Sequence, residues 1–321
     1  MARRPRFVAL ALGVLVAAGC GLLSPRPSAA PASGVGGWEA GPPAPAALTE
    51  VAAAAHDGRI WVAGGLDATG AATTGVYVFD PATDTWQDGP ALATAIHHSS
   101  LVSDGERLWL IGGYRADGQP TDAVLVLEPG LDAWFEEQPL PEPRGAGAAA
   151  FDGAGRFVYA GGVGPNGVST TVFVRPDAGR WEEGGRLPVA IEHLAATSDG
   201  AGTAYVLGGR RGGLDTNVAT VEAVDASGTR RVGEVPTTRG GVAAFWWPSL
   251  GACLVGGESP GGTNPQVECV DPAGRLTKLP DMLQARHGLG AAVIDGVAYT
   301  LLGGDQPGLF VSDAVERLRL P

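Results

Sequence analysis

Positive charge is scarce in this sequence. Twenty-two lysines and arginines face 34 aspartates and glutamates, a formal net charge of −12. Setting aside Arg3, Arg4 and Arg6 at the N-terminus takes it to −15. An acidic surface repels phosphate backbones, which argues against nucleic acid and anionic membrane surfaces as partners. Long apolar runs are also missing. The run from Phe7 to Ala18 is too short to span a bilayer as a helix, and nothing later is longer. Helical periodicity is weak while glycine is abundant, with 51 residues, so the chain reads as all-β. Cysteine is nearly absent, at three in 321 residues.

What the chain does have is one phrase used six times. IWVAGG at Ile60–Gly65 returns as LWLIGG at Leu108–Gly113, VYAGG at Val158–Gly162 and YVLGG at Tyr205–Gly209. It returns again as CLVGG at Cys253–Gly257 and TLLGG at Thr300–Gly304. The glycine pairs start at residues 64, 112, 161, 208, 256 and 303, at intervals of 48, 49, 47, 48 and 47. A fixed period near 50 is the mark of a repeat architecture. Each apolar run is a strand that must stop abruptly, and glycine permits the backbone angles and close approach that such a stop needs. An Asp-Gly turn precedes most of the runs, as at Asp57-Gly58 and Asp104-Gly105, and a small-residue run precedes the turn. A third strand follows each glycine pair, and in all but the last repeat a fourth comes after it, beginning at a tryptophan in the first three.

Four antiparallel strands per repeat, repeated radially, make a β-propeller. Gly-Gly followed by an apolar residue, six residues and Trp resembles the kelch motif. Phe79 to Trp86, Leu127 to Trp134 and Val174 to Trp181 keep that spacing. The fourth and fifth repeats carry Arg231 and Thr277 in place of the Trp, which predicts weaker contacts between those blades. Trp38 looks like a fourth strand without its first three, and the last repeat has three strands without a fourth. The expectation is a six-bladed propeller over 38–321, its last blade closed by the N-terminal strand at Trp38.

The region before it divides in two. Residues 1–19 read as a signal peptide, with small residues before Cys20 that resemble a bacterial lipobox. The resemblance implies lipidation of Cys20 and an exported, membrane-anchored protein. Residues 20–37, rich in Pro, Ala, Ser and Gly, read as a flexible tether. Cys253 and Cys269 flank the loop between the second and third strands of the fifth repeat, where they can sit opposite each other. In an oxidising compartment they are expected to form a disulfide.

Propellers bind at the mouth of the central channel, where the loops entering each first strand meet the loops after each glycine pair. From these loops come the ligand-binding candidates His97, His98, Arg144, His193, Arg286, His287, Tyr114 and Arg210, with Glu50, Arg115, Arg211, Glu258 and Asp305 on the same loops. Glu192 and Arg239 are candidates for a base and an anion clamp. Arg144, Arg239 and Arg286 have a structural alternative, bonding to neighbouring backbone at the start of a blade. No metal and no cofactor are expected. Zinc needs three or four converging ligands, and histidines on different blades are expected to lie too far apart. Adjacent His97 and His98 are expected to point to opposite sides of their strand.

The kelch resemblance admits several functions. Galactose oxidase resembles this ring but has seven blades and a Tyr–Cys crosslink, and the two cysteines here are better explained by each other. The periplasmic sialic acid mutarotases resemble it in blade number. The reading is a binding module for an envelope protein or glycan at the channel face. The alternative is a mutarotase-like or epimerase-like carbohydrate-active enzyme with its site at the mouth.

Overall fold

The computed structural model describes residues 36–176 and 179–320. The signal segment, Cys20 and nearly all of the tether lie outside them. Six four-stranded antiparallel sheets stand around an axis. Blade 1 runs from inside to outside as Ala52–His56, Arg59–Ala63, Val76–Asp80 and Thr85–Asp88. Blades 2 to 5 follow the same order, with inner strands Ser100–Ser103, Ala148–Phe151, Ala195–Ser198 and Ala243–Trp247.

Blade 6 contains Gly290–Ile294, Val297–Leu301 and Val315–Arg319. Its outer strand is Glu39–Ala40, which pairs with Val315–Arg319 in the register Glu39 with Arg317 and Ala40 with Glu316. The two ends of the chain thus finish one blade together, as the orphan Trp38 predicts. The Trp38 indole donates to Pro280 O at 2.8 Å, across the joint to blade 5. Trp134 makes the same bond to Pro90 O at 2.8 Å, and Trp86 to Pro42 O at 3.3 Å. The closing joint is therefore built like the joints within the chain.

Apolar clusters fill the spaces between neighbouring blades. The first joins Phe79 and Ile60 of blade 1 to Tyr299 and Leu301 of blade 6. Another joins Trp109 and Ile111 of blade 2 to Phe157 and Tyr159 of blade 3. Blade 5, without its Trp, carries the Cys253–Cys269 disulfide between residues directly opposite in register.

The glycine pair does what its composition dictates. Gly64 and Gly65 have φ of +65° and +109°, and a Cβ on Gly64 would stand 2.3 Å from Ile96 O of the next blade. The sixth repeat departs from the printed pattern by one residue. There the two left-handed positions are Leu302, at φ +57°, and Gly303, at +95°. Gly303 N bonds Leu48 O as Gly65 N bonds Ile96 O, which fixes the equivalence. Leu302 is fully buried, and that burial offsets a backbone conformation unfavourable for a side chain.

Candidate functional site

The loop entering each inner strand repeats the same register in all six blades. Its first position holds Leu48, Ile96, Arg144, Ile191, Arg239 and Arg286. The next holds Thr49, His97, Gly145, Glu192, Gly240 and His287. The third holds Glu50, His98, Ala146, His193, Gly241 and Gly288. Every residue of the third set has a φ between 51° and 64°. Four of them are not glycine, and positive φ in such residues is uncommon and concentrates at functional sites.

Backbone bonds between blades hold this ring. His98 N donates to Glu50 O, Ala146 N to His98 O and His193 N to Ala146 O. Gly241 N donates to His193 O and Gly288 N to Gly241 O, and Val51 N closes the circuit on Gly288 O. A cavity of about 60 Å³ touches the ring residue of every blade, so it lies on the axis. A channel of about 110 Å³ continues below it between the small residues of the inner strands.

The left-handed turn brings side chains from separate blades together. His98 Nε2 lies 3.0 Å from His193 Nε2 and 3.2 Å from Glu50 Oε2. His193 Nδ1 contacts Glu192 Oε2, and Glu192 Oε1 accepts from Arg210 Nε at 2.8 Å. Arg210 Nη1 reaches Glu258 Oε1 at 2.7 Å, and Glu258 Oε2 accepts from Gly308 N at 3.3 Å. His287 Nδ1 stands 3.4 Å from Glu50 Oε1 and 3.9 Å from Glu258 Oε2. His97 touches His98 through their Nδ1 atoms and stacks on Tyr114, with centroids 5.5 Å apart.

Three carboxylates, one guanidinium and four imidazoles thus share one buried centre. Burial lowers the His98 and His193 pKa values, favouring neutral rings. Burial, then His98, pushes His97 down to about 4. Burial alone would raise the Glu50 carboxyl, but His98 and His287 beside it outweigh that and hold it well below its usual value. For His287 burial acts downward, yet Glu50 and Glu258 raise it.

Two expectations about geometry need correction. The histidines of separate blades are not too far apart, because the rim of a six-bladed ring is narrow and the left-handed turn aims their side chains at its centre. His97 and His98 do not point to opposite sides, since His98 at φ +53° breaks the strand alternation.

The candidate arginines separate by register. Arg239 is fully buried and spends all five donors on Gly256 O, Thr237 O, Leu254 O, Gln266 O and Glu268 Oε2. It clamps the fifth blade and cannot clamp an anion beside Glu192. Arg286 is likewise buried on Leu302 O, Ala314 O, Thr300 and Glu316. Arg144 is buried against Glu142, Pro143 O and Ser169. These three belong to the blades, while Arg210 belongs to the mouth. Glu50 is the residue whose importance the spacing hides. The signal that finds it is the shared register with His98 and His193.

A kelch motif model matches residues 47–93, the first blade with its entering loop. No curated protein matches the chain. A solved structure described as "Structure of YjhT" superposes with a TM-score of 0.72 at 15% identity, covering 85% of this chain and 95% of that one. At that identity the likeness shows the fold.

Proposed function

For this six-bladed kelch propeller we propose a role in recognition: an exported protein, anchored through Cys20, whose mouth face binds a glycan or an envelope protein. The observation that carries it is the state of the mouth. Glu192, Arg210 and Glu258 are paired with one another, and the cavity of about 60 Å³ at the axis is too small for a sugar ring. Contact with a large partner falls to the rim, where Leu309 and Phe310 are exposed beside the centre and Arg211 projects. Aromatic side chains such as Phe310, and arginine, are enriched where a protein surface meets a partner. The basic leader, its apolar core and Cys20 support export, and the Cys253–Cys269 bridge fits an oxidising compartment.

The test is a glycan array and an envelope-protein pull-down with the intact protein and with L309S/F310S. Loss of a captured partner in the variant is the expected result. Unchanged capture places recognition elsewhere. Palmitate labelling that is lost in C20S tests the anchor.

The convergence of Glu192, His193, His98 and Arg210 favours the second reading, a mutarotase-like or epimerase-like enzyme. The charge balance disfavours an acidic sugar as its substrate, since three carboxylates stand against a single arginine. Accelerated anomeric exchange of a sugar in NMR, abolished by E192Q, establishes that reading over the first.

A further inference from the structure

We propose that the axis of the mouth is a binding site for a divalent transition-metal ion of the zinc class, held by Glu50 Oε2, His98 Nε2 and His193 Nε2. The inference is independent of what the rim recognises.

The donor atoms are spaced as ligands of one ion are. Ligands about 2.0–2.2 Å from one ion stand about 3.0–3.4 Å from each other in tetrahedral or octahedral geometry. The separations here are 3.0 Å between the two imidazoles and 3.2 Å from His98 to Glu50. All three donor atoms lie within 4.8 Å of one another.

Hydrogens at this centre are also too few for its lone pairs. Glu192 accepts at His193 Nδ1, so that nitrogen carries the hydrogen and Nε2 presents a lone pair to the axis. His98 Nε2 faces that lone pair and the Glu50 oxygen together, and it has at most one hydrogen for two acceptors. One cation at the centre satisfies all three lone pairs.

The surroundings fit the same ion. A carboxylate behind a ligating histidine fixes its tautomer and orientation, and here Glu192 is itself held by Arg210. Charge points the same way, with Glu50, Glu192 and Glu258 against Arg210. Neither ring nitrogen of the buried His287 makes a good hydrogen bond, and the ring leans on the other oxygen of Glu50. The other three ring positions are Ala146, Gly241 and Gly288, which bring no donor to the axis and leave space beside the ligands for water or a ligand atom. Two imidazoles and one carboxylate suit zinc, cobalt, nickel or iron, whereas calcium and magnesium take oxygen donors.

The test is titration of the chelator-stripped, dialysed protein with ZnCl2 by calorimetry and with CoCl2 by visible absorption. One equivalent should bind, with cobalt bands of a nitrogen–oxygen site. H98A, H193A and E50Q should each weaken binding by about 100-fold or more, and E192Q by about 10- to 100-fold through the ligand it orients. His56→Ala, at the far end of its inner strand and bonded to Ser103, should change nothing. Circular dichroism of each stripped variant establishes that it is folded, and E192Q supplies a graded readout that alters no ligand. Absence of saturable binding by the wild type, or binding that survives H98A/H193A, overturns the proposal.

Discussion

Arg239 and His98 both sit in blade-entering loops, two register positions into theirs apart, and they have opposite fates. At Arg239 every donor has an acceptor, mostly backbone carbonyls of its own blade, and Glu268 completes the set. At His98 one nitrogen faces two acceptors, and the neighbouring His287 has no good hydrogen bond. Residue type and burial alone would class them together. The difference is whether the buried polar groups are used up. A group with its valences filled belongs to the architecture, whereas a converging set with spare lone pairs has something left to bind.

The comparison breaks most visibly at Glu268. Glu268→Ala leaves the Arg239 charge buried, and we expect a loss of about 3–5 kcal/mol in guanidinium unfolding. A loss below about 1 kcal/mol would mean that Arg239 can turn away from its blade. Next is the disulfide, also on the architectural side. Reduction, or C253S/C269S, should cost about 3 kcal/mol for a loop of this separation while leaving zinc affinity at the mouth unchanged.

Gly288→Ala probes the ring itself. Its φ is +58°, and a Cβ would stand 2.5 Å from Thr49 Oγ1 and 2.8 Å from Glu50 Cδ. The expected cost is about 1–2 kcal/mol, together with displacement of Glu50 and weaker metal binding. Equal affinity would separate Glu50 from the centre.

The smallest effect concerns Asp104, at the opposite end of the inner strands. Burial would raise its carboxyl, but the Arg107 and Glu106 N–H groups, the Trp109 indole and the Arg107 guanidinium together lower it. A depressed folded value means that its stabilisation is present above the unfolded value of 3.8 and lost as pH falls through the lower folded one. Asp104→Asn should flatten the acid limb of a stability–pH curve below about pH 4 and leave the neutral region nearly level.

Much of this molecule is legible in one dimension. Strand identity and blade number follow from the spaced glycine pairs, and closure follows from a Trp38 without a blade of its own. Those features are local or periodic, so the sequence displays them. The sixth glycine pair misleads by one residue, because burying Leu302 in the core overrides the preference for glycine there. The centre is harder to read. Glu50, His98 and His193 are about one repeat or two apart along the chain, and strand alternation gives the wrong direction for His98. Left-handed backbone at a narrow rim is what unites them, and nothing in the identity of Glu or His announces that conformation.

The two-residue strand at Glu39–Ala40 also sets a mechanical property. Traction at Gly36 enters the ring at its latch, where the paired Glu39 and Ala40 and the Trp38 indole take the load first and the Gly41 and Ala44 backbone bonds take it next. Because that indole is bonded across the joint to blade 5, a pull there loads the outer edge of the sixth sheet and its seam with the fifth before the rest of the ring.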